Sequence, residues 1–91
     1  MNRTEHLLTI LAEESAEVAQ RATKALRFGL DEVQPDHVWN NRERIVQELN
    51  DLWAVAEMLG ICRVDRIAID RKKAKVEAFL EYSKKCGTLQ P

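Results

Sequence analysis

Chain breakers are scarce in this sequence. It has three glycines and two prolines, at Gly29, Pro35, Gly60, Gly87 and Pro91. They leave three long segments uninterrupted, and no alternating strand pattern fills those segments. There are two cysteines, Cys62 and Cys86, without metal-type spacing. That excludes a zinc knuckle and leads us to expect a reduced, cytoplasmic protein. No apolar run is long enough to span a bilayer, so no membrane partner is expected. The opening "MNRTEHLLTILAEE" turns acidic too early for a signal peptide. An excess of one charge is missing too: 14 Lys and Arg stand against 15 Asp and Glu, for a net charge of -1. Nothing global therefore points to nucleic acid or an anionic surface.

What remains is 45% hydrophobic and 32% charged in 91 residues. Residues 1–91 read as one small all-α domain. A chain of this size buries a modest core and often gains stability by associating. The first segment spans about Thr4–Phe28, with Thr4 as N-cap and Gly29 as the stop. The loop "GLDEVQPDHVW" follows. In "NNRE", Asn40 and Glu43 form a capping-box pattern, opening a segment that runs to about Leu59. Asp65 caps a third segment ending near Lys85. All three carry apolar stripes at helical spacing. The first stripe includes Leu7, Leu11, Val18 and Ala25, and the second Ile45, Leu49, Leu52, Trp53 and Ala56. The third helix has two stripes, one with Ile67, Ala74 and Phe79 and a narrower one of Ile69, Val76 and Leu80. Two apolar sides imply two neighbours, one of them in another subunit.

Several carboxylates sit where an amphipathic helix should be greasy. At ~100° per residue, Glu14 falls inside the first stripe and Glu17 at its edge. Glu13 lies farther round. On the second helix Glu48 falls inside the apolar arc and Asp51 just past its edge. A buried unpaired carboxylate costs several kcal/mol, so these groups require cations. Arg21, four residues after Glu17, is placed to serve one of them, and no basic residue serves all four. Two facing acidic pairs at i, i+3 converge oxygen ligands between helices, which suits Mg²⁺ or Mn²⁺. Taken singly, each is as well explained as a solvated edge charge or an ion-pair partner. A di-iron centre would need Glu-x-x-His pairs, and neither His6 nor His37 stands three residues after a glutamate.

"EESAE" followed by "ELND" resembles the EExxE…ExxD signature of the all-α nucleoside triphosphate pyrophosphohydrolases, the MazG-like superfamily. "RATKALRFGLDE", "NNRERIVQELNDLWAVAEML" and "KKAKVEAFLEYSKKCGTL" are similar to the short single-domain members common in phages and prophages. The likeness covers nearly the whole chain. It implies hydrolysis of a nucleoside triphosphate between the α and β phosphates, with Glu14, Glu17, Glu48 and Asp51 as Mg²⁺ ligands. It also implies a homo-oligomer, a dimer or tetramer, with helical cores shared between subunits. A water held at the site would attack the α phosphorus in line, with Glu14 or Glu13 taking its proton.

Triphosphate also needs cations and its base a stacking face. Lys24 and Arg27 on the first helix, and Lys72 and Lys75 on the third, are the candidates for phosphate, although a solvated place on a helix face is the more common fate of any given lysine. Trp39 is the candidate pocket wall. Trp53 reads as core and Asn41 as a helix-start residue. The third helix is expected to close a site between the first two. The phage-type resemblance implies a purine dNTP such as dGTP or dATP, and nothing in the residues decides between them. A non-catalytic helical module, binding nucleotide or a basic protein partner through its acidic edge, is the alternative.

Overall fold

The structure is a computed structural model describing residues 1–91. It contains three α-helices and no strand: α1 Arg3–Phe28, α2 Asn41–Met58 and α3 Arg66–Cys86. An isolated bridge pairs Val33 with Asn40 in the first loop.

Each helix starts on a side-chain cap. Asn2, rather than Thr4, caps α1: its Oδ1 accepts the Glu5 backbone N–H at 2.8 Å. Asparagine caps at least as well as threonine, and capping from Asn2 gains residues for the first turn. Asn40 opens α2 with the expected reciprocal box: its Oδ1 accepts from the Glu43 N–H at 2.8 Å, while Glu43 Oε1 accepts from the Asn40 N–H at 3.1 Å. Asp65 Oδ1 accepts from the Ala68 N–H at 3.1 Å. Gly87, at φ 80°, closes α3 in the left-handed region that favours glycine.

α1 and α2 pack as an antiparallel hairpin. Asn41, 1% exposed, is its clamp. The Asn41 Nδ2 donates to the Gly29 carbonyl at 2.8 Å and to Glu32 Oε1 at 3.0 Å. Its backbone N–H donates to the Glu32 carbonyl at 3.1 Å. Arg44 adds a bond from Nη1 to Gln34 Oε1 at 2.7 Å. The loop is thereby folded back onto the start of α2.

The hairpin seam has two halves. Leu7, Ile10 and Leu11 of α1 meet Leu52 and Val55 of α2 at one end, and all five are buried or half-buried. Toward the loop the seam is mixed, with Val18, Ala25 and Ile45 beside Arg21, Lys24, Asn41 and Arg44 among its less exposed residues. Glu14 and Glu48 stand where the two halves join.

α3 packs on neither α1 nor α2. The linker from Leu59 leads it away, so it does not close the hairpin of its own chain as the sequence suggests. Leu7, Ala25 and Val55 are the only buried apolar residues. The radius of gyration, 16.5 Å, exceeds the roughly 13 Å of a compact chain of about 100 residues. No helix is long and apolar enough to cross a membrane. Both cysteines are free, and burial together with the Glu57 charge pushes the Cys62 thiol up, which keeps it from acting as a thiolate.

Candidate metal centre

Helical phase carries Glu14 and Glu48 into the seam from opposite helices, as their positions in the two stripes require. One carboxylate oxygen from each of Glu14, Glu17 and Glu48 lies within 4.8 Å of the others. Glu14 and Glu48 are half-buried and Glu17 is exposed. The Oε2 atoms of Glu14 and Glu48 are fully shielded and have no hydrogen-bond partner. The expected relief from Arg21 does not come. No ion pair joins Arg21 to Glu17, and the Arg21 Nη1 is itself buried without a partner. The three ion pairs that do form are all remote from the trio: Arg42–Asp31, Arg66–Asp70 and Lys84–Glu81.

The electrostatics follow from this crowding. Burial pushes the Glu14 carboxyl above the ordinary carboxylate range, and the charges of Glu17 and Asp51 push it further. The neighbouring Glu48 carboxyl partly offsets them, and Glu13 adds a last small push. Glu48 is raised in the same way, first by burial, then by Glu17 as hydrogen-bond neighbour and as charge, then by Asp51 and Glu14. Such a cluster is short of positive charge. Hard oxygen donors without a cation of their own match what Mg²⁺ or Mn²⁺ takes up.

Asp51 and Glu13 are both exposed and stand outside the trio. Asp51 is near enough for its charge to act on both buried glutamates. Lys24 is half-buried two turns beyond Glu17 on the same side of α1. Arg27 lies over the Phe28 ring, 4.9 Å from its centroid, at the exposed end of α1. Lys72 and Lys75 are on α3, which this chain does not bring to the trio. Trp39 is 50% exposed. It lines a recess of about 310 Å³ with Arg42, Glu43, Val46 and Gln47. At about 100° per residue that recess occupies the far face of α2 from Glu48, so Trp39 does not join the glutamates within the chain.

Trp53 is not core here. It is 45% exposed and, with Leu11, Leu49, Leu52 and Ala56, lines an apolar groove of about 610 Å³. This groove opens on one side of the hairpin, while Glu17 and Asp51 project on the other. The signal for it was the off-centre phase of Trp53, well round α2 from Glu48. The hairpin is thus two-sided, greasy on one open side and acidic on the other.

Comparison with family models, with curated proteins and with solved structures returns no match for this chain.

Proposed function

We propose that this chain is a divalent-cation-dependent nucleoside triphosphate pyrophosphohydrolase of the MazG-like type, cleaving a (d)NTP to (d)NMP and pyrophosphate as a homo-oligomer. One observation carries the reading: two shielded, partnerless carboxylate oxygens, on Glu14 and Glu48, face each other beside Glu17 with no basic side chain paired to any of them. A bound divalent cation would supply the positive charge that the trio lacks. The acidic signature supplies the substrate class.

Glu14, Glu17 and Glu48, with Asp51 at their margin, would hold the ion. When bound, Mg²⁺ or Mn²⁺ would neutralise phosphate oxygens that a bare carboxylate cluster repels. Glu14 is the better proton acceptor of the two catalytic candidates, because burial and its acidic neighbours strengthen it as a base. It would take a proton from the attacking water as that oxygen bonds to the α phosphorus. The bond from the α phosphorus to the bridging oxygen breaks, and pyrophosphate leaves with the electron pair. Glu13 would lie outside this step, adding negative charge beside Glu14. Lys24 is the α1 cation best placed for phosphate, ahead of Arg27, whose guanidinium lies over Phe28. The greasy side of the hairpin supports association with a second copy, since Leu49 and Trp53 stay about half exposed in the single chain.

The test is pyrophosphate released from the common ribo- and deoxyribonucleoside triphosphates with Mg²⁺ or Mn²⁺. Release from at least one, lost on chelation, is expected. No release from any of them would overturn the enzyme reading in favour of a non-catalytic helical module.

A further inference from the structure

The loop end of the α1–α2 seam repeats the acidic stretch with the charge reversed. Arg21 stands seven residues after Glu14, Lys24 seven after Glu17, and Arg44 seven before Asp51. Seven residues make about two helical turns, or ~10 Å of axis, with only ~20° of drift round the helix. Each cation therefore faces the same way as its carboxylate. α1 ends and α2 begins at the same loop, so all three displacements run toward it.

None of these three cations has an anion. Arg21, Lys24 and Arg44 are half-buried, and none of them joins an ion pair of the chain. Arg21 Nη1 is shielded and has no acceptor. Arg44 Nη1 donates to a neutral oxygen, Gln34 Oε1, at 2.7 Å. The carboxylates of the adjoining loop are engaged elsewhere: Asp31 pairs with Arg42 at 3.5 Å, and Glu32 Oε1 accepts from Asn41 at 3.0 Å. Like charges drawn into one seam repel each other and lose hydration without compensation. Covering the seam with an apolar stem accounts for the half-burial of Lys24. It does not account for a guanidinium nitrogen shielded from water without an acceptor.

We propose that Arg21, Lys24 and Arg44 form an anion site of their own, loopward of the glutamates, that holds pyrophosphate without a metal. Cations on two helices whose axes lie about 8–10 Å apart are bridged better by two linked phosphates than by one compact ion. The guanidinium groups suit phosphate oxygens, which they meet two at a time. No metal is required, because the site supplies its own positive charge. Its place in the reaction rests on the pyrophosphohydrolase reading. The β and γ phosphates then lie toward the loop before cleavage, and the released pyrophosphate stays there and competes with fresh triphosphate. The binding itself does not rest on that reading.

The experiment needs no turnover. Pyrophosphate is titrated calorimetrically into the protein in EDTA, with inorganic phosphate and a nucleoside monophosphate as parallel titrants. The wild type should bind pyrophosphate at least about tenfold more tightly than either. Affinity should fall by at least about tenfold in Arg21→Gln and in Lys24→Gln. It should hold or rise in Glu17→Gln, which removes a negative charge one turn from Arg21. Lys24→Gln carries the test if Arg21→Gln fails to fold, since Lys24 joins no ion pair; circular dichroism is recorded on each variant. No pyrophosphate binding in EDTA would overturn the proposal, as would phosphate binding just as tightly or equal affinity in wild type and Lys24→Gln. Lys24-dependent binding in a protein that releases no pyrophosphate from any triphosphate would uphold the anion site and overturn the enzyme reading. Turnover with pyrophosphate affinity untouched by Lys24→Gln would do the reverse.

Discussion

Glu14 and Glu48 are forced into a seam where no basic side chain pairs with them. Their raised pKa values fix the sign of a pH effect. Unfolded glutamates titrate near pH 4.3, while the folded pair keeps its protons to higher pH. Without divalent ions, the contribution of this pair to stability is fully present below about pH 4.3 and is lost as pH rises through the raised values. We therefore expect the melting temperature in EDTA to fall between about pH 5 and about pH 8 more steeply for the wild type than for Glu48→Gln. Equal slopes in thermal scans would contradict this. At neutral pH, Mg²⁺ or Mn²⁺ should raise the wild-type melting temperature by a few degrees and leave Glu48→Gln unmoved. Asn41 is buried too, its Oδ1 without a partner but its Nδ2 donating twice. Asn41→Ala leaves the Gly29 carbonyl without its 2.8 Å donor and should cost about 1–3 kcal/mol in urea unfolding.

Among elements, the helices were largely legible from the sequence and their partners were not. The capping box at Asn40 and the Asp65 cap follow from local chemistry that a short window contains. The phase of Glu14 and Glu48 follows from the helical period alone. The start of α1 was misplaced because Asn2 and Thr4 are both good caps and the choice depends on which N–H is reached. Asn2→Ala should therefore cost about 1 kcal/mol and Thr4→Ala less than about 0.5, a difference that urea titration resolves. Arg21 stands at the right spacing from Glu17, yet spacing does not dictate a rotamer, and the pair does not form. Trp53 read as core because a stripe says which residues are greasy, not which other helix covers them. The placement of Lys72 and Lys75 fails for the same reason, since no local pattern fixes where α3 goes.

At the scale of the whole molecule, the single chain leaves much of its apolar surface open. Three buried apolar residues and a radius of gyration of 16.5 Å leave most of the hydrophobic driving force unused. The greasy side of the hairpin and the stripe of α3 are the surfaces that association would cover. Light scattering should therefore give at least twice the 10.5 kDa chain mass. Leu49→Glu, which puts a charge in the apolar groove, should shift the protein toward the single-chain mass while its far-UV helical signal persists. A wild type that elutes at the single-chain mass at all concentrations would contradict association.

If the glutamate trio holds a divalent ion for cleavage of a triphosphate, removing the charge of Glu17 must stop pyrophosphate release. Wild type and Glu17→Gln are incubated side by side with each common (d)NTP and Mg²⁺, and pyrophosphate is quantified with circular dichroism recorded on both. The account predicts release by the wild type from at least one substrate, and loss of at least about a hundredfold in Glu17→Gln at unchanged helicity. Equal release by both proteins would contradict it.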